Sequence, residues 1–340
     1  MKYSYFPGCS LEHNAAAYHH STMAIAKPLG MEFEEIEDWN CCGATEYISL
    51  NMMASFALIA RNLAQAAKGD TTQPLVAPCS ACYLNLSKCD KYLCEDSELA
   101  ERVNVALAAG GLHYAPGTIH ARHLLDVISA DVGCERLQEH VTRPMSGLKV
   151  APYYGCLISR PGLRTAEHDP EYPTSLDELL TCLGAQVVDF PLKTHCCGGH
   201  MTQISEATGF ELIRRLVKGA VDAGADLIVT ICPMCQLNLD AFQSAMNRYF
   251  KTSYHVPVLY FTQMMGLAFG MDAAQVDIGA ELVDARPALA KIGVELPPPA
   301  EPAPRRRRDD KSLPMPAMKD TRRAGEPGAR PAPARGEAER

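Results

Sequence analysis

"VAPCSACYLNL" (residues 76–86) returns as "VTICPMCQLNL" (residues 229–239). Both stretches run from an apolar segment into C-x-x-C and on into "LNL". Upstream, "WNCCGA" (residues 39–44) returns as "THCCGG" (residues 194–199), and "YFPGC" (residues 5–9) returns as "YYGC" (residues 153–156). Three matches keep the same order at offsets of 147 to 155, so the chain carries a duplicated domain. The reading predicts one domain over residues 1–145, a second over 146–275, and an extension over 276–340.

Each half alternates strand and helix signals. In the first half, "KYSYF", "MEFEEI" and "PLVA" read as strands, and residues 14–29 and 47–67 read as helices. In the second half, "LKVAPYY", "QVVDF" and "DLIVTI" read as strands. A helix opens at the capping-box pattern "SLDE" (residues 175–178), and another covers residues 205–223. This is an α/β pattern, with a small, mostly parallel sheet flanked by helices in each half. All six cysteine loops follow the C-terminal end of an expected strand, where open α/β sheets place their sites. Six loops then converge into two clusters, one per half.

The 340 residues are 47% hydrophobic, with no apolar run long enough to cross a bilayer and no secretory leader pattern at the N-terminus. These features predict a cytoplasmic protein with reduced thiols. Fourteen cysteines there call for a metal or redox explanation rather than a disulfide framework. Residues 301–340 carry a net +4, which leaves −12 on the rest of a chain whose net charge is −8. An acidic body argues against a nucleic-acid enzyme. From about residue 297 the chain is rich in Pro, Arg and Ala without apolar periodicity and reads as disordered. Arg305–Arg308 within it reads as a polybasic contact or as part of a solvated tail.

Ten cysteines belong to the repeat. Cys9, Cys41, Cys42, Cys79 and Cys82 follow C-x31-CC-x36-C-x2-C. Cys156, Cys196, Cys197, Cys232 and Cys235 follow C-x39-CC-x34-C-x2-C. Five thiolates exceed the four that hold zinc or a cubane cluster, and each half has a single C-x-x-C where a zinc ribbon pairs two. The pattern favours iron–sulfur over zinc, with zinc in one half as the competing reading.

The pattern closely resembles the CCG-domain family and, within it, the B subunit of heterodisulfide reductase. The resemblance covers about residues 1–270 and includes "YFPGCSLE", "EDWNCCGA", "IARNLAQA", "SLDELLTCLGA" and "CPMCQLNLD". The gap before Cys232 is one residue shorter than the family pattern. The resemblance implies two tandem CCG domains related by a pseudo-two-fold. It implies a noncubane 4Fe–4S cluster on Cys9, Cys41, Cys42, Cys79 and Cys82, and a second on Cys156, Cys196, Cys197, Cys232 and Cys235. A disulfide binding between the clusters would be cleaved by two one-electron reductions, and no side-chain acid–base pair is implied. The implied partners are the ferredoxin-like C subunit and the flavoprotein A subunit of such a complex. The implied substrate is the coenzyme M–coenzyme B disulfide. The composition of the tail points instead to a bacterial relative in sulfur metabolism, running oxidatively on a small or protein-bound thiol such as lipoyl-bound sulfur.

Two other readings stand beside this one. In the first, the chain is the iron–sulfur electron-transfer subunit of a glycolate, lactate, glycerol-3-phosphate or succinate dehydrogenase. Many such subunits carry fused ferredoxin motifs, and this chain has none. In the second, it is a structural zinc-binding adaptor. Outside the repeat, Cys182 reads as a small buried hydrophobe, and Cys89, Cys94 and Cys134 carry no assigned role. His195 and His200 flank the second cysteine pair as proton donors or as hydrogen-bonding neighbours. His120 and His123 read as orienting a helix near the cysteine loops, and Trp39 reads as packing.

Overall fold

The computed structural model describes residues 1–159, 163 and 169–296. The tail beyond 296, with Arg305–Arg308, lies outside the described residues. Two four-stranded sheets, entirely parallel, form the frame. The first contains β1 (Lys2–Tyr5), β2 (Glu32–Glu35), β3 (Leu75–Ala77) and β4 (Ala121–His123), in the order β2-β1-β3-β4. The second contains β5 (Lys149–Tyr153), β6 (Gln186–Val187), β7 (Leu227–Thr230) and β8 (Val258–Tyr260), in the equivalent order β6-β5-β7-β8. Parallel neighbours need crossover helices, and these cover the sheets. The central strands β3 and β7 are therefore buried throughout and read as apolar runs. Edge strand β2, "EFEE", keeps three acidic side chains in solvent, which discourages further strand pairing.

The chain reverses its strand order between β1 and β3, and again between β5 and β7. The loops leaving those neighbouring strands open onto one crevice in each half. Cys9 follows β1 and Cys79 follows β3, while Cys156 follows β5 and Cys232 follows β7. The cysteine pairs come from the loops after β2 and β6. All six loops leave the C-terminal ends of strands, as expected.

Several local expectations change. The fourth strand of each sheet, β4 and β8, has only three residues and no alternation to mark it. The expected strand "QVVDF" pairs only at Gln186–Val187. Beyond it, Phe190 turns into the core and Pro191 lacks a backbone donor. The expected helix over residues 47–67 is two helices, Tyr47–Leu50 and Met52–Ala66. They are divided at Asn51, whose side chain accepts from the Ala54 N–H as an N-cap. The capping box at Ser175 does not form, because Ser175 is already helical. Thr174 is the N-cap, and its hydroxyl donates to Glu178 Oε1 at 2.7 Å. Cys182 is a half-buried disulfide partner of exposed Cys134 rather than a buried free thiol. The bond ties helix Gly133–His140 to helix Ser175–Cys182, with Cα atoms 5.7 Å apart.

One hydrophobic core runs through both sheets, taking in Leu75, Leu148, Val229 and Leu259. Val276, Leu289 and Ile292, which follow the second sheet, are buried in it as well. A second cluster around Phe210, Ile213, Val217 and Ile228 backs the second cysteine set.

Candidate metal centre

Cys79 and Cys232 are the N-cap residues of helices Ser80–Glu95 and Pro233–Ala241. Extended backbone at each cysteine turns into helix at once, helped in the second half by Pro233 at the first helical position. Cys82 and Cys235 lie three residues on, in the first turn, so each C-x-x-C presents both sulfurs at a helix N-terminus. The positive end of the helix dipole favours thiolate there. The adjacent pairs arrive from the opposite side. The sulfurs of Cys9 and Cys41 are 3.5 Å apart, and those of Cys42 and Cys82 are 3.4 Å apart. In the second half, Cys156 bonds Cys196, and Cys197 bonds Cys235. Cys79 and Cys232 act on each other across the two halves, raising the first thiol and lowering the second.

These contacts divide the sulfurs into donors and acceptors. Hydrogen bonds from Cys42 and Cys9 pull the Cys41 thiol down to about 2, and its bond to Cys41 pushes Cys42 up to about 11. Cys9 and Cys156 are held high by donating to Cys41 and Cys196. Bonds from Cys235 lower both Cys197 and Cys232, and Cys235 rises in return.

Gly8 and Gly155 give the sulfurs room. A Cβ at Gly8 would come within 2.8 Å of Cys82 Sγ, and one at Gly155 within 2.9 Å of Cys235 Sγ. Both glycines have positive φ, so the backbone approaches the sulfurs where no other residue fits. Ten thiols in two converging sets, with these cradles, form a donor set that suits soft multi-iron groups. Among the described residues, no three His, Cys, Asp or Glu side chains are grouped so as to hold a metal ion.

The sets differ in their surroundings. The second set lines a cavity of about 200 Å³ with Leu157, Met201, Ile204 and Met234, and Thr45, Glu46 and Ser80 reach it from the first half. Glu46 also bonds His200 Nδ1 across that cavity. Burial is the largest influence and opposes its ionisation, but the bonds from His200 and Thr45 together lower its pKa. Cys9 and Cys41 instead border an open depression with Glu12, Glu35, Glu37 and Asp38.

The neighbouring histidines take ordinary places. His195 is exposed, and His200 is half-buried in its bond to Glu46. His123 is buried and caps helix Leu124–Val127 by accepting from the Leu125 N–H at 3.1 Å. His120 is exposed. Trp39 packs edge-on against Phe6 and donates to Glu35. Cys89 is buried near the Phe56 carbonyl, and Cys94 is exposed.

Three residues that matter to the site were passed over in the sequence. Asn85 and Asn238 each donate to two carbonyls of the adjacent-cysteine loop. The repeat marks them, since "LNL" occurs in both halves. Tyr18, fully buried, places its hydroxyl 3.2 Å from both the Pro78 and Ile231 carbonyls, which immediately precede Cys79 and Cys232. Its ring stacks on Tyr260 at 4.4 Å. No repeat signal marks Tyr18.

The comparisons with known proteins follow the same lines. The CCG cysteine-rich domain model matches residues 3–87 and 150–240. The 8-methylmenaquinol:fumarate reductase membrane anchor subunit of Wolinella succinogenes is 35% identical over 84% of this chain and 98% of its own length. The B subunit of the ferredoxin/F(420)H(2)-dependent CoB-CoM heterodisulfide reductase of Methanosarcina acetivorans is 30% identical, over 86% of this chain and 97% of its own. A protein of Archaeoglobus profundus described as like the heterodisulfide reductase B subunit is 30% identical, over 81% and 93%. A solved structure of a hypothetical protein from Helicobacter pylori shares the fold, with a TM-score of 0.65 at 14% identity. That match covers 83% of this chain and 52% of the other. Among the described residues, no helix is long and apolar enough to cross a membrane. The chain belongs to the CCG cysteine-rich domain family, among the proteins that resemble the heterodisulfide reductase B subunit.

Proposed function

We propose that this chain is the catalytic iron–sulfur subunit of a heterodisulfide-reductase-like complex, interconverting a disulfide and two thiols. Cys9, Cys41, Cys42, Cys79 and Cys82 would hold one noncubane 4Fe–4S cluster, and Cys156, Cys196, Cys197, Cys232 and Cys235 the other. The observation that carries this reading is that five cysteines in each half sit on loops leaving the C-terminal ends of one parallel sheet, with Gly8 and Gly155 leaving room only for the sulfurs of Cys82 and Cys235. Clusters at these positions would supply one electron each, matching the two electrons a disulfide takes up.

The chain's own residues fit that task. The helix N-terminus at Cys232 favours negative sulfur, and Leu157, Met201 and Met234 give the second set an apolar border. The Glu46–His200 pair joins the two halves at the edge of the cavity. The partners in this reading are the ferredoxin-like C subunit and the flavoprotein A subunit, as the names of the relatives suggest a multisubunit assembly.

A second reading rests on the Wolinella relative, whose name places it in a quinol-linked fumarate reductase. There the two sets would relay electrons to or from a quinol without binding a thiol substrate.

The test is anaerobic preparation with metal and acid-labile sulfide analysis, followed by turnover assays. About eight irons and eight sulfides per chain are expected, and one or two zinc ions without sulfide would sink the cluster reading. Cys42→Ala and Cys197→Ala should each remove about half the iron and abolish disulfide turnover, with circular dichroism unchanged. Quinol-linked electron transfer with no spectral response to any thiol would select the second reading.

A further inference from the structure

We propose that Asn85 and Asn238 are positioning residues that turn a backbone N–H of each adjacent-cysteine loop onto a neighbouring sulfur. Each asparagine sits three residues after the second cysteine of its C-x-x-C, on the same helical face as that cysteine. Its side-chain amide has two hydrogens and no competing helical partner. Asn85 Nδ2 donates to the Cys42 carbonyl at 3.0 Å and to the Ala44 carbonyl at 2.7 Å. Asn238 Nδ2 donates to the Gly199 carbonyl at 2.6 Å and to the Cys197 carbonyl at 3.4 Å. It also reaches Cys197 Sγ directly at 3.5 Å, a contact Asn85 lacks among the described residues, so N85L is the cleaner test.

Planarity of the peptide does the rest. In a trans peptide, C=O and N–H point in opposite directions. The unit whose carbonyl belongs to Cys42 has its N–H on Gly43, and that N–H donates to Cys41 Sγ at 3.4 Å. The unit whose carbonyl belongs to Cys197 has its N–H on Gly198, which donates to Cys196 Sγ at 3.3 Å. Each asparagine therefore holds one edge of a peptide plane whose other edge faces a sulfur. Catching carbonyls two residues apart requires a left-handed reversal, seen at Gly43 (φ +80°) with Ala44 (φ +45°) and at Gly198 (φ +98°) with Gly199 (φ +52°). Ala44 adopts it without a glycine's freedom, a strain that the clamp offsets.

The two halves arrive at this clamp separately. The residue before each cysteine pair is held differently: Asn40 by both ends of the buried Asn62 amide, and His195 by the Tyr153 hydroxyl at 2.7 Å. The asparagine contact is common to both.

An N–H bonded to a ligand sulfur favours added negative charge, so losing it makes a sulfur-held cluster harder to reduce. This part of the inference rests on the cluster reading above. Near-isosteric N85L and N238L remove the donors. In the anaerobic holoprotein, signals are assigned to halves with Cys42→Ala and Cys197→Ala and then titrated by electron paramagnetic resonance. N85L should move only the first half's midpoint to a more negative value, with iron content unchanged, and N238L only the second half's. In the metal-free protein, hydrogen exchange over residues 41–46 in N85L should quicken about tenfold, the scale of one hydrogen bond's net contribution. Residues 196–201 should stay as in the wild type. Should buried Asn238 not tolerate leucine, N85L at half-buried Asn85 decides alone. Midpoints that stay fixed, or move together in both halves, would overturn the clamp, as would unchanged exchange. A wild-type chain that binds no iron overturns the cluster reading alone, and the exchange comparison then decides the clamp.

Discussion

At the residue scale, the thiol sets depend on what is missing beside them. Gly8 and Gly155 both sit in left-handed backbone, and each faces a C-x-x-C sulfur at a distance no Cβ tolerates. Gly8→Ala and Gly155→Ala are each expected to cost about 1–2 kcal/mol for the left-handed backbone alone. Each should also displace Cys82 or Cys235. Denaturant unfolding measures the first effect. Iron analysis measures the second, with the altered half losing its metal and the other half keeping it. The repeat carries these glycines in "PGC" and "YGC", but nothing in the sequence shows which sulfur each faces. The asparagines were no more legible, because a polar residue on a helix gives no sign of which carbonyl it faces until the loop opposite is placed.

At the element scale, the cysteine loops were legible because each follows an apolar strand, and such strands end where sites collect in parallel sheets. Strands β4 and β8 were not, because three residues are too few to show a period. The Cys134–Cys182 bond was illegible for another reason. Its partners are 48 residues apart, and only the packing of helix Gly133–His140 on helix Ser175–Cys182 brings them together. It closes a loop that spans the junction of the two halves, so by chain entropy it stabilises the fold by up to about 4 kcal/mol. Cys134→Ser is expected to lower the Tm in oxidising buffer and to have no effect on the Tm in dithiothreitol. An unchanged Tm in both buffers would show that the bond does not form in solution.

At the scale of the whole molecule, likeness between the halves stops short of their surfaces. The first set opens among acidic side chains, while the second lies at an apolar cavity that first-half residues help to close. The shared core and the Glu46–His200 contact make the halves one working body. Tyr18→Phe keeps the stacked ring and removes only the hydroxyl. It is expected to destabilise the protein by about 1–3 kcal/mol, the cost of leaving buried carbonyls without a donor. Denaturant unfolding measures this, and no change would mean the hydroxyl is not shared as described.

That hydroxyl has a further consequence. Burial holds it protonated, so it offers a single hydrogen to two acceptors at equal distance. One carbonyl belongs to the first half and one to the second. Whatever draws that hydrogen toward one sibling takes it from the other, so an inherited symmetry ends in a quantity that cannot be split.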